Sequence, residues 1–215
     1  MRIVECSATL IVIDKPSGLP AVPGRASGLQ DCVASRVQAQ FADALVVHRL
    51  DMATSGLMLM ARGLAAQRAL GAAFERRAVD KRYVAVVAGL VAAAPAAGWA
   101  EISLPLAADW PARPRQKVDQ AAGKPSLTRV RVLAHRPGAD AGLPCTRVEL
   151  QPLTGRTHQL RVHLAAIGHP IVGDALYAPP EVQAMSARLL LHASALALAD
   201  PVTGQPVAFA SPAPF

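Results

Sequence analysis

Nine short strand-like runs, separated by links rich in proline, glycine and charge, constrain this chain more than any other feature. They are TLIVID (9–14), ALVVHRL (44–50), GLMLMAR (56–62), KRYVAVVAGL (81–90), WAEISLPL (99–106), LTRVRVL (127–133), TRVELQPL (146–153), LLLHASALAL (189–198) and PVAFA (206–210). Only three segments carry a helical period. Residues 29–41 place Leu29, Val33, Val37 and Phe41 four apart. Residues 64–78 are read with Leu64, Leu70 and Phe74 inward and Arg68, Arg76 and Arg77 outward. HQLRVHLAAIG (158–168) puts Leu160, Leu164 and Ile167 on one face, with Gly168 as its stop. Many strands and few helices predict an α+β fold: a mixed, mostly antiparallel central sheet with flanking helices and loops. LTRVRVL and TRVELQPL are expected to pair antiparallel, and residues 108–126 to form a long loop. The AAAPAAG linker does not establish a boundary, so residues 1–215 are expected to form a single domain.

At 215 residues and 52% hydrophobic, the chain can bury a core. It has no run of about 18 uncharged apolar residues, so no membrane span is expected. Glu5 and Asp14 interrupt any signal-peptide pattern, and a cytoplasmic protein is expected. Cys6, Cys32 and Cys145 lie far apart without CxxC spacing, which argues against a disulfide framework or a zinc cluster. The net charge is +7, and only four of the 22 basic residues are lysines. Arginine forks match phosphate oxygens and stack on bases, which leans toward RNA. The same bias also arises from genome composition.

Four segments carry possible chemistry. In HRLDMATSG (48–56) a strand delivers His48, Arg49 and Asp51 to a polar turn followed by Thr54, Ser55 and Gly56. Such an aspartate either caps the turn through neighbouring N–H groups or is positioned for reaction. LTGRTHQLRVHLAAIGHPIVGDALY (153–177) groups Arg156, His158, Arg161 and His163 about a helix start, which suits an anion or a carboxylate partner. The five-residue separation of His158 and His163 puts them on different helix faces, so no metal site is expected. Tyr83, in Lys81-Arg82-Tyr83, is either a packing residue or a platform for an extruded base. DWPARPRQK (109–117) sets Arg113, Arg115 and Lys117 beside Trp110, as a nucleic-acid contact or a solvated loop would.

Taken in order, IVIDKPSGLPAVPG (11–24), HRLDMATSGLMLMAR (48–62), KRYVAVVAG (81–89), GRTHQLRVHLAAIGHPIVGDALY (155–177) and LLLHA (189–193) resemble the signature segments of the RluA family of pseudouridine synthases. The resemblance covers most of the chain. It implies an isomerase that breaks the N1-to-ribose bond of a uridine, rotates the held base and rejoins it through C5. No cofactor and no metal are implied, and one carboxylate suffices where glycoside hydrolysis generally needs two.

By the same resemblance Asp51 is that carboxylate, Arg161 its guanidinium partner, and Tyr83 stacks against the target base. Arg49 matches an arginine that enters the RNA stack where the uridine left. His48, Thr54, Arg113, Arg115, Lys117, Arg156 and His158 are the further candidate RNA contacts. Leu190 and Leu191 are candidates for an apolar wall under the uracil, in a register that LLL leaves open. Lys15 and Pro16 read as structural. The compact build, without an S4-like domain, is similar to family members that act on 23S rRNA and tRNA as monomers. A non-catalytic RNA-binding module would need the basic residues and Tyr83 but neither Asp51 nor Arg161.

Overall fold

The computed structural model describes residues 1–24, 30–92, 98–136 and 143–215. In chain order its first elements are β1 (Arg2–Cys6), β2 (Leu10–Lys15), α1 (Val33–Gln38), β3 (Ala44–Val46), β4 (Ser55–Arg62) and α2 (Gly63–Glu75). Next come β5 (Asp80–Ala88), β6 (Ala100–Ser103), β7 (Leu106–Ala108), β8 (Gln116–Val118), β9 (Leu127–Arg136) and β10 (Cys145–Pro152). The chain ends with α3 (Gln159–Ala166), α4 (Pro180–Gln183), β11 (Leu191–Ala199) and β12 (Pro206–Ala210). These elements form two compact units, Met1–Lys81 with His192–Phe215, and Arg82–Leu191.

In the first unit β4 is the central strand. β2 pairs antiparallel along one edge, from Lys15↔Gly56 to Leu10↔Ala61. β3 takes the far end of β4, antiparallel from Ala44↔Arg62 to Val46↔Met60. β11 takes the near end in parallel, His192↔Ser55 and Ala193↔Gly56. β1 extends the sheet beyond β2, and β12 pairs with β11. Ile11, Ile13, Met58 and Met60 are as buried as Leu10, Val12, Leu57 and Leu59. Strands covered on both faces read as continuous apolar runs, and that is how TLIVID and GLMLMAR read. One face packs Leu10, Val12, Leu57 and Leu59 against Ala66 and Leu70 of α2.

In the second unit β5, β10, β9 and β6 form an antiparallel sheet, and β7 and β8 form a separate hairpin. Val148, Leu150, Leu160 and Leu164 are buried in it. The structure is thus α+β with a mostly antiparallel arrangement that includes the parallel pair β4 and β11.

Local periodicity misplaced several side chains. The first helix is shorter than residues 29–41, because the Cys32 side chain accepts the Ser35 N–H and caps it there; Leu29 lies outside the described residues. Leu64 is 63% exposed, since the inward stripe of α2 is Ala66, Leu70 and Ala73 at i, i+4 and i+7. Ile167 is 40% exposed at the C-cap of α3, while Gly168 ends that helix at φ +83° as expected. Residues 108–126 are not structureless: β8 folds back on β7, with the Asp109 N–H donating to the Arg115 carbonyl across the tip at 3.0 Å. Most of the AAAPAAG linker lies outside the described residues.

Gly56 has a conformation and a site that only glycine fits. Its φ is +107°, and a Cβ there would lie 2.6 Å from the Ala193 nitrogen. Gly56→Ala is therefore expected to pry β4 from β11 and cost about 3 kcal/mol. A lower urea midpoint at unchanged slope would register this, and an unchanged midpoint would refute it.

Candidate active site

Residues 47–54 leave β3, turn, and return as β4, so Asp51 is held on a short excursion between two strands of one sheet. The Asp51 carbonyl accepts the Thr54 N–H at 3.1 Å and closes the turn. The Met52 carbonyl accepts the Gly18 N–H and a proton of the Lys15 ammonium, each at 2.9 Å. The Ala53 carbonyl accepts the Ser17 hydroxyl at 2.7 Å. Each carbonyl of the turn thus has a defined donor, and the backbone carrying the half-buried Asp51 is fixed from the Lys15–Gly18 side.

The flanks are equally specified. His48 Nε2 accepts the Leu59 N–H at 2.8 Å, and its ring stacks on Phe74 with centroids 4.4 Å apart. Burial, reinforced by the Lys81 charge, pushes the imidazole down from 6.5 to about 3, so it is neutral at physiological pH. Ser55 Oγ lies 2.9 Å from His192 Nδ1. His192 Nε2 donates to the Ser211 carbonyl at 3.2 Å, so in the neutral ring Nδ1 is the acceptor for the Ser55 hydroxyl. Ser211 Oγ in turn donates to Asp14 at 2.7 Å.

Thr54 is 3% exposed, and the half-buried His48 is held by the Leu59 N–H and the Phe74 ring. Both help to hold the loop that carries Asp51. Arg49 is exposed.

Tyr83 and Arg161 belong to the second unit. Tyr83 is half-buried on β5, opposite Leu150 of β10. Arg161, on α3, is 4% exposed and donates Nε and Nη2 to the two oxygens of Asp174 at 2.8 and 2.7 Å. Asp174 is fully buried, and its Oδ1 also accepts the Leu176 and Tyr177 N–H groups at 2.9 and 3.3 Å. The helix start is thus a carboxylate-pairing site. Gln159 accepts from Thr154 Oγ1 and the Arg156 N–H, which ties down the turn before α3.

His158 is the N-cap at φ +54°, with Nδ1 2.6 Å from the Tyr177 hydroxyl. His163 is buried between Thr128 and the Leu104 carbonyl, and burial lowers its pKa. Neither imidazole is therefore an idle ligand. Among the described residues no group of three or more His, Cys, Asp or Glu could hold a metal ion.

Arg113, Arg115 and Lys117 are exposed on the β7–β8 hairpin, with Arg113 lying 3.5 Å over the ring of Trp110, itself 67% exposed. Arg156 is exposed too. Leu190 is half-buried and packs against Ala88, Val172 and Val182, while Leu191 is 3% exposed. Sequence reasoning missed Asp174 as the partner of Arg161, and Tyr177 and His192 as polar hubs. The only signal was their presence in the motif segments GDALY and LLLHA.

A family model described as RNA pseudouridylate synthase matches residues 9–166. The chain belongs to that family. This synthase is 47% identical over 206 residues to the dual-specificity RNA pseudouridine synthase RluA of Escherichia coli K12, covering 96% of this chain and 90% of that one. It is 48% identical to the Yersinia pestis protein of the same name, covering 96% of both. Among solved structures, human RNA pseudouridylate synthase domain containing 1 superposes with a TM-score of 0.79 at 32% identity, covering 99% of this chain and 83% of that one.

Two measurements check the geometry of this synthase. Arg161→Ala leaves the Asp174 carboxylate buried without its fork, and a loss of about 3–5 kcal/mol is expected. Adding Asp174→Asn should return part of it, and strict additivity of the two changes would show that they are not coupled. For His48, the unfolded chain takes up a proton below pH 6.5 that the folded chain refuses until about 3. Stability is therefore complete above 6.5 and falls as pH drops toward 3, by about 2 kcal/mol from this residue at pH 5. Urea melts across this range should show a shallower fall in His48→Gln than in the natural protein.

Proposed function

We propose that this synthase isomerises a loop uridine to pseudouridine in 23S rRNA and in the anticodon stem-loop of tRNA, as a cytoplasmic monomer. Near-full-length identity to dual-specificity RluA enzymes, with HRLDMATSG and GRTHQLRVH intact, carries this reading. Asp51 is the catalytic carboxylate, Arg161 the guanidinium that serves it, and Tyr83 the ring against the uracil. Arg49 enters the RNA stack vacated by the extruded uridine, and stacking of its guanidinium offsets part of an unstacking cost of a few kcal/mol. Arg113, Arg115, Lys117 and Arg156 take phosphates, and Leu190 and Leu191 supply the apolar wall.

The chemistry balances within the nucleotide. The N1–C1′ bond breaks, C5 bonds to C1′, C5 loses a proton and N1 gains one. No electron acceptor or transferred group is required, and no cofactor is proposed.

Asp51→Asn is expected to keep its affinity for a uridine-containing stem-loop while isomerisation is lost. Product from the natural enzyme should have unchanged mass, with no free uracil, and should form after complete chelation. Appreciable turnover by Asp51→Asn would sink the assignment, and release of uracil would replace it with a glycosidase.

A further inference from the structure

Tyr177 joins two parts of the second unit that the proposed reaction uses separately. Its hydroxyl accepts the Gln116 N–H of β8 at 2.8 Å and shares a hydrogen bond of 2.6 Å with His158 Nδ1. Its ring carries two guanidiniums, that of Arg115 at 5.5 Å from the centroid and that of Arg161 at 5.0 Å. The carboxylate that takes the Arg161 fork also accepts the Tyr177 N–H. One residue therefore holds the tip end of the basic hairpin through its hydroxyl and faces the buried arginine through its ring. Phenylalanine would keep only the ring, and histidine or leucine would reproduce neither geometry.

We propose that Tyr177 is a positioning residue that couples docking of RNA on the β7–β8 hairpin to the aim of Arg161. This rests on the roles proposed above for Arg161 and for the hairpin arginines. Two cations near one ring both draw on its quadrupole and repel each other. When an RNA phosphate draws Arg115 outward, the ring is left to Arg161, whose planar fork is then more firmly held against Asp174. The hydroxyl keeps the hairpin close enough for that exchange to be felt.

Tyr177→Phe and Tyr177→Leu separate the two functions. In Tyr177→Phe the Gln116 amide should exchange its hydrogen roughly tenfold faster, and KM for the stem-loop should rise about tenfold with kcat within about twofold. Tyr177→Leu should add a fall in kcat of about tenfold and faster exchange in the first turn of α3. Unchanged Gln116 exchange or unchanged KM in Tyr177→Phe would overturn the proposal. So would equal kcat in the two variants, or losses that merely track a lowered Tm, since a plain core residue behaves that way. Failure of the natural enzyme to convert the stem-loop would remove the functional reading. The exchange pattern would still decide the coupling: changes in Tyr177→Leu confined to one element, hairpin or helix, would refute it.

Discussion

The fully buried ammonium of Lys15 governs how the segment around Asp51 can fold. A charge taken out of water costs many kcal/mol unless it is hydrogen-bonded. Lys15 meets that cost by donating to the carbonyls of Pro16, Leu19 and Met52 at 3.0, 2.7 and 2.9 Å. Those bonds are charge-assisted and therefore stronger than ordinary amide bonds. Two of the acceptors lie in the turn that follows Lys15, and the third is the residue after Asp51. Moving the 51–54 turn would strand part of a buried charge, so this turn is rigid for an electrostatic reason.

The opposite end of the same segment is fixed by packing. Gly56 admits the Ala193 backbone at a distance no side chain would allow, and Ser55 is tied to His192. Polar, steric and apolar constraints thus converge on one eight-residue excursion. In the second unit the same problem, a buried charge, is solved by a partner: Arg161 and Asp174 are joined by a bidentate fork, and two backbone N–H groups add bonds to Asp174 Oδ1. Arginine rather than lysine is needed there, because two parallel bonds fix direction as well as charge.

Much of this was legible in the chain. The antiparallel pair of β9 and β10, the glycine stop of α3 and most strand runs were local signals found where expected, but ALVVHRL is a strand only over Ala44–Val46, WAEISLPL only over Ala100–Ser103, and β1 and β8 were not foreseen. Errors arose where a local pattern had more than one solution. Leu64 and Leu70 are both apolar, but six residues apart they point to different sides of a helix, and only the strands beneath α2 choose between them. Nothing along the chain separated the burial of His48 from that of Thr54: His48 is half-buried and accepts a backbone N–H from β4, while Thr54 is 3% exposed.

By itself the sequence determined the α+β class, the family and the segments that carry its chemistry, because periodicity and motif spacing are properties of neighbours along the chain. Tertiary structure alone decided the partners. Arg161 takes Asp174 thirteen residues on, and Ser55 meets His192 137 residues away. Tyr177 gathers a strand, a helix cap and two arginines about one ring. Hydrogen bonds and ion pairs depend on distances of a few ångströms and on exclusion of water, and folding, not spacing along the chain, sets both.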